Sequence, residues 1–167
     1  MLGYVCKYTP MELFEAMDTE ITRLEPSVTD FNHADTLMHA NICSYTKAVL
    51  EEAMEHDYEG VILTTCCDSI RRLYDTLKSQ FPDKFFFLLD IPRKFNDFAV
   101  ALYERQLKQM LTEYEAFSGK TLDLKRFVSM MQNKAALKKQ ENTRMSASAA
   151  SEKGNGQKLN IGIMGAR

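Results

Sequence analysis

The sequence contains no tryptophan, only 7 glycines and 4 prolines, and no long uninterrupted apolar segment. Its longest apolar run, around Phe85–Leu89, is far shorter than a membrane-spanning helix requires, so we expect no membrane association. Positive charge is not in excess, because 21 Lys and Arg residues stand against 23 Asp and Glu residues. Because the charges balance, the sequence gives no electrostatic reason to expect nucleic-acid binding. The first residues lack a basic stretch followed by an apolar core, so we expect a cytoplasmic protein.

The composition that remains is that of a globular domain. The chain has 167 residues, of which 45% are hydrophobic and 26% charged. This length suits one well-buried domain and is too short for two ordinary ones. Thiols in the cytoplasm stay reduced, so the cysteines favour ligand or thiol chemistry over disulfides. There are four of them: Cys6, Cys43, Cys66 and Cys67.

Short apolar runs alternate with stretches of helical periodicity. The run at residues 60–65 is typical of a parallel strand buried on both faces. The run Thr9-Pro10-Met11-Glu12 combines a cap, a first-turn proline and a capping box, so it predicts the start of a helix. The predicted strands are residues 2–6, 20–24, 60–65 and 84–91, and residues 26–35 are a predicted loop. The predicted helices cover residues 10–17 and 42–56, and others begin at a cap on Asp68, near Asn96, and at Thr121 or Asp123 after a break at Gly119.

This alternation predicts an α/β fold, in which helices flank a parallel sheet of the Rossmann or flavodoxin type. Functional groups of such sheets lie at the carboxyl ends of the strands. Residues 1–141 would form this domain, and residues 142–157 are rich in Ser, Ala and Gly and predict a linker. Residues 159–164 predict the first strand of a second domain, comprising residues 158–167, which we expect to be truncated.

Three of the cysteines lie at predicted helix starts. Cys66 and Cys67 follow the strand at residues 60–65, and Cys43 begins another helix. Unpaired amides and partial positive charge in a first helical turn stabilise a thiolate, the form that binds iron or zinc. The spacing matches no standard zinc or ferredoxin pattern, so burial as small apolar residues stays open. His33 and His39 are further candidate ligands.

Several sequence motifs resemble the 2-hydroxyacyl-CoA dehydratase family. This family includes the 2-hydroxyglutaryl-CoA dehydratase D-component, the benzoyl-CoA reductase subunits and the double-cubane-cluster reductases. The motifs occur in the family's order and extend from Gly3 to about Lys139. They are G-Y-V-C-K-Y-T-P-M-E-L at 3–13, A-N-I-C-S-Y at 40–45, T-C-C-D-S-I-R-R-L-Y-D at 65–75, L-D-I-P-R at 89–93 and F-S-G-K-T-L at 117–122.

The resemblance implies that Cys43 and Cys67 bind a 4Fe-4S cluster, with a third cysteine supplied by a second domain. Cys66 is an extra thiol and a possible additional ligand. Asp68 and Ser69 are predicted first as helix caps, and also as neighbours of the cluster. Lys7 stands where members that handle substrate often have serine, which favours an electron-relay subunit or a divergent reductase. Contacts to CoA phosphates or to an acidic partner are further expectations for Lys7, Arg71, Arg72 and Arg93, although the arginines equally suit a solvated face.

In this family, water is eliminated from (R)-2-hydroxyacyl-CoA to give enoyl-CoA through a ketyl radical. An ATP-dependent activator iron–sulfur protein first supplies one electron. The implied partners are therefore this activator, a second dehydratase subunit and the acyl-CoA substrate. Three alternatives stay open: a related reductase subunit, a catalytically inactive truncated domain, and a cluster-free thiol protein that uses Cys66 and Cys67 in redox chemistry or zinc binding.

Overall fold

A parallel sheet of four strands organises the described part of the chain. The structure is a computed structural model, and it describes residues 1–28 and 30–151, with side chains as far as Leu137. The strands are β1 (Leu2–Tyr4), β2 (Ile21–Arg23), β3 (Gly60–Thr64) and β4 (Phe85–Leu89), and the helices are α1 (Met11–Glu15), α2 (Asn32–Leu37), α3 (Ser44–Glu55), α4 (Asp68–Gln80), α5 (Asp97–Ser118) and α6 (Leu124–Ser151).

The strands lie in the order β2-β1-β3-β4, and every neighbouring pair is parallel. Leu2 is paired with Ile21 on one side and with Gly60 on the other, and Gly60 is paired in turn with Phe85. All five residues of β3 are buried, which explains its unbroken apolar sequence. The α/β fold that the sequence predicts is thereby confirmed.

Helices cover both faces of the sheet and enclose two apolar cores. The first core lies under α2, α3 and α4, and the second lies under α1 and α5. Alternate residues of each strand face the two cores, as the geometry of an extended chain requires. The first core contains Val49, Leu50, Val61, Leu63, Leu73 and Leu77, and the second contains Leu2, Phe14, Ile62, Phe87, Met110 and Tyr114.

Gly60 permits the close approach of β3 and β4 at their first residues. A Cβ atom at this position would lie 1.9 Å from the backbone oxygen of Phe85. No side chain fits in that distance, and a backbone oxygen cannot rotate away as a flexible side chain can. The start of β3 therefore depends on glycine for its register with β4.

Several predicted element boundaries are wrong, and each has a local reason. The segment predicted as loop at residues 26–35 contains the start of α2, whose Ala34 is fully buried. The first helix begins after Pro10 without a side-chain cap. Among the side chains that the structure describes, none forms a hydrogen bond with the buried hydroxyl of Thr9, the predicted cap. Helix α4 has Cys67 as its N-cap residue, so Asp68 is its first residue and not its cap.

The carboxyl-terminal helices begin where the sequence predicts. Asn96 caps α5 by accepting a hydrogen bond from the amide of Ala99, and Gly119 ends it with a φ of 70°. Asp123 accepts hydrogen bonds from amides at the start of α6. None of the helices in the described residues has the length and apolar character needed to cross a membrane.

Helix α6 continues through residues 142–151, within the segment predicted as a linker. These residues include neither glycine nor proline, which permits the helix to extend. One compact unit comprises Met1–Val128, and a second begins at Ser129. The remainder of the predicted linker and the predicted strand at 159–164 lie outside the described residues, so the domain boundary stays a prediction.

Candidate functional site

The carboxyl ends of the strands bring several reactive side chains to one edge of the sheet. Cys6 lies just after β1, Cys66 and Cys67 follow β3, and Asp90 follows β4. Parallel strands end on the same side, so these groups share one edge because of topology alone. This is the part of the molecule in which the sequence predicted the site.

Cys43 is the N-cap residue of α3, and its thiol is exposed. Its sulfur lies 3.1 Å from Oγ1 of Thr46, which is fully buried. Partial burial acts to raise the pKa of Cys43, but hydrogen bonds from Thr46, from the Ser69 hydroxyl and from the amide of Tyr45 outweigh it and lower the pKa. The lowered pKa favours the thiolate form of Cys43, which is the form that binds metal.

The contact of Cys43 with Ser69 joins the starts of two helices. Ser69 is the second residue of α4, and Cys67 is the N-cap residue of the same helix. Cys67 is exposed, as is its neighbour Cys66. The structure therefore places the helix start that carries Cys43 beside the one that carries Cys67, with both thiols open to solvent.

Hydrogen bonds to the ends of β3 and β4 hold the turn between β3 and α4 in place. The amide of Cys66 donates to the carbonyl oxygen of Thr64 at 2.8 Å. The amide of Thr65 donates to the carbonyl oxygen of Leu89, in β4, at 3.0 Å. The hydroxyl of Thr65 donates to the carboxylate of Asp90, whose own amide donates to Gln106 Oε1 at 3.1 Å. The cysteine turn thus has a fixed backbone.

Cys66 differs from Cys43 in its electrostatic surroundings. Burial raises the pKa of Cys66, and the nearby thiols of Cys67 and Cys6 raise it further. Charge on Cys6 also raises the pKa of Tyr45 and of Tyr103, although burial is the larger cause for both. Cys6 therefore lies close to the edge that the other three cysteines share. Cys66 is the less favourable thiolate, since its surroundings disfavour ionisation.

The described residues do not make a complete metal site by themselves. Residues 1–28 and 30–137 contain no group of three or more His, Cys, Asp or Glu side chains that could hold a metal ion. Both histidines that were candidate ligands have other partners. His33 Nδ1 lies 2.7 Å from Glu51 Oε2, and His39 Nδ1 accepts the amide of Asn41 at 3.2 Å. The two exposed thiols suit iron by their chemistry but would need further ligands from outside this group.

The candidate basic residues fall into separate places. Lys7 Nζ lies 5.2 Å from the centre of the Tyr8 ring. Arg71 and Arg72 line a cavity of about 350 Å³ on α4, together with Asp68 and other side chains. Arg93 lines another cavity, of about 250 Å³, with Lys94, Phe95 and Tyr103.

Three supporting residues escaped prediction from the sequence. Thr46 follows Cys43 by three residues, which is the spacing of a capping contact and could have marked it. Asp90 lies within the motif L-D-I-P-R, but its bond to Thr65 depends on the pairing of β3 with β4. Glu51 lies inside a helix, and nothing in its local sequence indicates that it is buried.

Comparison with known families gives one match that covers most of the chain. A model of the family described as 2-hydroxyglutaryl-CoA dehydratase, D-component, matches residues 6–155. The matched segment includes Cys6, Cys43, Cys66 and Cys67 and all of the helices and strands after β1. No curated protein matches the chain.

Proposed function

The chain belongs to the family of the 2-hydroxyglutaryl-CoA dehydratase D-component, and from this premise we propose that it is an iron–sulfur subunit of a cytoplasmic 2-hydroxyacyl-CoA dehydratase. The proposed reaction removes water from (R)-2-hydroxyacyl-CoA and gives enoyl-CoA through a ketyl radical of the substrate. An activator protein would supply the electron in an ATP-dependent step. A second dehydratase subunit would complete the enzyme, as the multi-component family implies.

One observation supports this proposal more than any other. Cys43 and Cys67 are the N-cap residues of α3 and α4, which pack in the same core, and both cysteines are exposed. The Ser69 hydroxyl, two residues beyond Cys67, acts to lower the pKa of the Cys43 thiol. Two soft sulfur donors next to unpaired helix amides are suited to an anionic iron–sulfur cluster.

The residues present would hold one side of such a cluster. Cys43 and Cys67 would be its thiolate ligands, and Cys66 is a possible third. The remaining ligands would come from outside this sequence. When bound, a 4Fe-4S cluster supplies a low-potential electron that protein side chains cannot. Ser69 and Thr46 would stabilise negative charge on the sulfur of Cys43 by hydrogen bonding. Asp68, in the first turn of α4, would lie next to the same cluster.

A role in electron relay is the second candidate within this function. The observation that favours it is Lys7, which replaces the serine often found in members that handle substrate. Its ammonium group lies over the Tyr8 ring, and no ion-pair partner for it is found in residues 1–28 and 30–137. A subunit of this kind would pass the electron to a partner that binds acyl-CoA. In the substrate-binding alternative, Arg71, Arg72 or Arg93 would contact the CoA phosphates.

Anaerobic reconstitution with iron and sulfide tests the ligand assignment. Iron per chain would be counted, and the reduced cluster would be observed by electron paramagnetic resonance. We expect the isolated chain to retain less than a full cluster, because two thiolates leave much of it unsupported. Cys43→Ala and Cys67→Ala should each lower the iron content further.

Cys6→Ala is the matched control, since Cys6 lies at the same edge but is not a proposed ligand. It should retain as much iron as the wild type. Iron content equal to that of the wild type in both Cys43→Ala and Cys67→Ala would overturn the assignment. Tight, stoichiometric retention of a cluster by the isolated chain would contradict the need for outside ligands.

A further inference from the structure

Helix α2 begins without a cap of its own. Its N-cap residue is Phe31, which has no side-chain cap hydrogen bond. The amide of Ala34, in the first turn, instead donates to Oε1 of Glu51 at 2.8 Å. Glu51 belongs to α3, so the neighbouring helix supplies the missing cap.

The carboxylate of Glu51 is buried and fully engaged. Glu51 is only 2% exposed, and its second oxygen lies 2.7 Å from His33 Nδ1. Burial acts to raise the pKa of Glu51, but the hydrogen bonds from Ala34 and His33 outweigh it, so the pKa is lowered. A buried carboxylate without such partners would be strongly unfavourable. Glu51 is thus an anion held against the positive end of α2.

An ion pair also joins the same two helices. Lys47 Nζ of α3 lies 2.5 Å from Oδ1 of Asp35 in α2. Asp35 is exposed and Lys47 is partly buried, so screening by solvent makes this the weaker of the two polar links. The buried link through Glu51 is therefore the stronger polar link, and it adds to the apolar packing of α2 and α3 in the first core.

The attachment matters because the segment after α2 leads directly to Cys43. Residues 38–43 connect α2 to α3 and end at this cysteine. Within this connection, Asn41 and Ile42 donate hydrogen bonds to His39 at 3.2 and 3.0 Å. The position of α2 fixes the beginning of the connection, and the start of α3 fixes its end.

We propose that Glu51 is a positioning residue for Cys43. By capping α2 from α3, it holds the connection at residues 38–43 and with it the Cys43 sulfur, which lies 3.1 Å from Thr46 Oγ1. Its importance for a cluster rests on the proposed function of Cys43, but its effect on the connection does not. Glu51 itself would touch neither substrate nor cluster.

The test measures how firmly the connection is held. The full chain, free of iron, is transferred to deuterated buffer, and exchange of the Asn41 and Ile42 amides is followed by nuclear magnetic resonance, with the amides of β3 as the internal reference. Glu51→Leu is similar in volume but removes both acceptor oxygens. Both amides donate hydrogen bonds within the connection, so loosening of the connection should break these bonds more often. We expect their exchange to become about three-fold faster relative to that of β3.

Conservative replacement separates positioning from general stability. Glu51→Gln retains an acceptor for the Ala34 amide and should keep exchange of these two amides near the wild-type rate. Glu55→Leu alters an exposed glutamate one turn further along α3 and is the matched control. Unchanged or slower exchange at these two amides in Glu51→Leu that is folded by circular dichroism would overturn the proposal.

His33→Leu covers the case in which Glu51→Leu does not fold. The His33 side chain is 54% exposed, so its loss leaves the core intact and removes one partner of Glu51. We expect a smaller increase in exchange at the same two amides, and no increase would overturn the proposal. Iron retention by Cys43→Ala is a separate measurement. If that assay rejects Cys43 as a ligand, the proposed function fails while the exchange result for Glu51 still stands.

Discussion

The hydroxyl of Thr65 donates a hydrogen bond to the carboxylate of Asp90. Thr65 begins the turn that carries Cys66 and Cys67, whereas Asp90 is the first residue after β4. The bond therefore ties a thiol-bearing turn to the neighbouring strand. A second bond, from the Asp90 amide to Gln106, extends the connection to α5. The cysteine turn is in this way linked to the end of β4 and to α5.

Replacement of Asp90 by alanine should destabilise the fold and loosen the cysteine turn. The Thr65 hydroxyl would lose its charged acceptor, which costs about 1–3 kcal/mol. Urea unfolding followed by circular dichroism measures the loss, and iron retention after reconstitution should fall as well. Asp83→Ala, at an exposed position, is the matched control and should unfold like the wild type. Equal stability of the two variants would show that the bond to Thr65 contributes nothing.

Replacement of Thr46 by valine should raise the pKa of the Cys43 thiol. The valine keeps the volume and branching of this buried residue but removes the hydroxyl 3.1 Å from the sulfur. Fewer thiolates would then exist at neutral pH, and we expect alkylation of Cys43 to slow by about three-fold. The pH dependence of the alkylation rate gives the pKa directly. Thr36→Val, in the exposed part of α2, should leave it unchanged, and an unchanged value in Thr46→Val would contradict the expected role.

Stability at alkaline pH should depend on Tyr114. Burial, reinforced by a hydrogen bond to Glu59, raises the pKa of Tyr114 from 10.0 to about 12. The folded chain therefore keeps a proton that the unfolded chain releases first. This contribution is complete below pH 10 and is lost as the pH rises toward 12.

Tyr114→Phe should consequently lose less stability than the wild type between neutral pH and pH 11, about one unit above the ordinary value. Urea unfolding at several pH values measures the difference. The pKa of Tyr58 is also raised to about 12, but Tyr58 is present in both proteins, so its contribution to the pH dependence cancels in the comparison. Tyr8→Phe at an exposed position is the control. Parallel pH profiles for Tyr114→Phe and the wild type would refute the expectation.

Gly60→Ala should severely damage the fold. The new Cβ atom would meet the backbone oxygen of Phe85 at 1.9 Å, so β3 and β4 would have to separate. We expect a loss of about 3 kcal/mol or more, or a chain that does not fold. Gly3→Ala is the comparison, because its Cβ atom would meet only the flexible Leu24 side chain at 3.3 Å. Similar unfolding midpoints for the two variants would mean that the strands yield easily.

The features predicted well from sequence are those in which local pattern and tertiary packing agree. The apolar run of β3 has no polar alternation because both of its faces are buried, so its parallel pairing could be inferred. Asn96 marks the start of α5 and Gly119 marks its end, and both caps depend only on adjacent residues. Helix α2 escaped prediction because its cap, Glu51, is contributed by another helix.

The location of the candidate site was predictable from the sequence, but the residues that contact its cysteines were not. Cys43 and Cys67 could be placed at helix starts, since both precede helical periodicity in the sequence. The resemblance to the family suggested that both cysteines bind a cluster. The family match confirms the resemblance, but the role of these cysteines as ligands in this chain stays a prediction. The contact of Cys43 with Ser69 depends on the packing of α3 against α4, and no sequence spacing encodes it.

Helices α3 and α4 share one apolar core, and each has a cysteine at its amino-terminal boundary. Any group that bonded both sulfurs would cross-link the two helices at their amino-terminal ends. Separating the helices would then require breaking this cross-link as well as exposing the core. The melting temperature of the chain should consequently rise as the group binds, and a chelator should return it to its starting value.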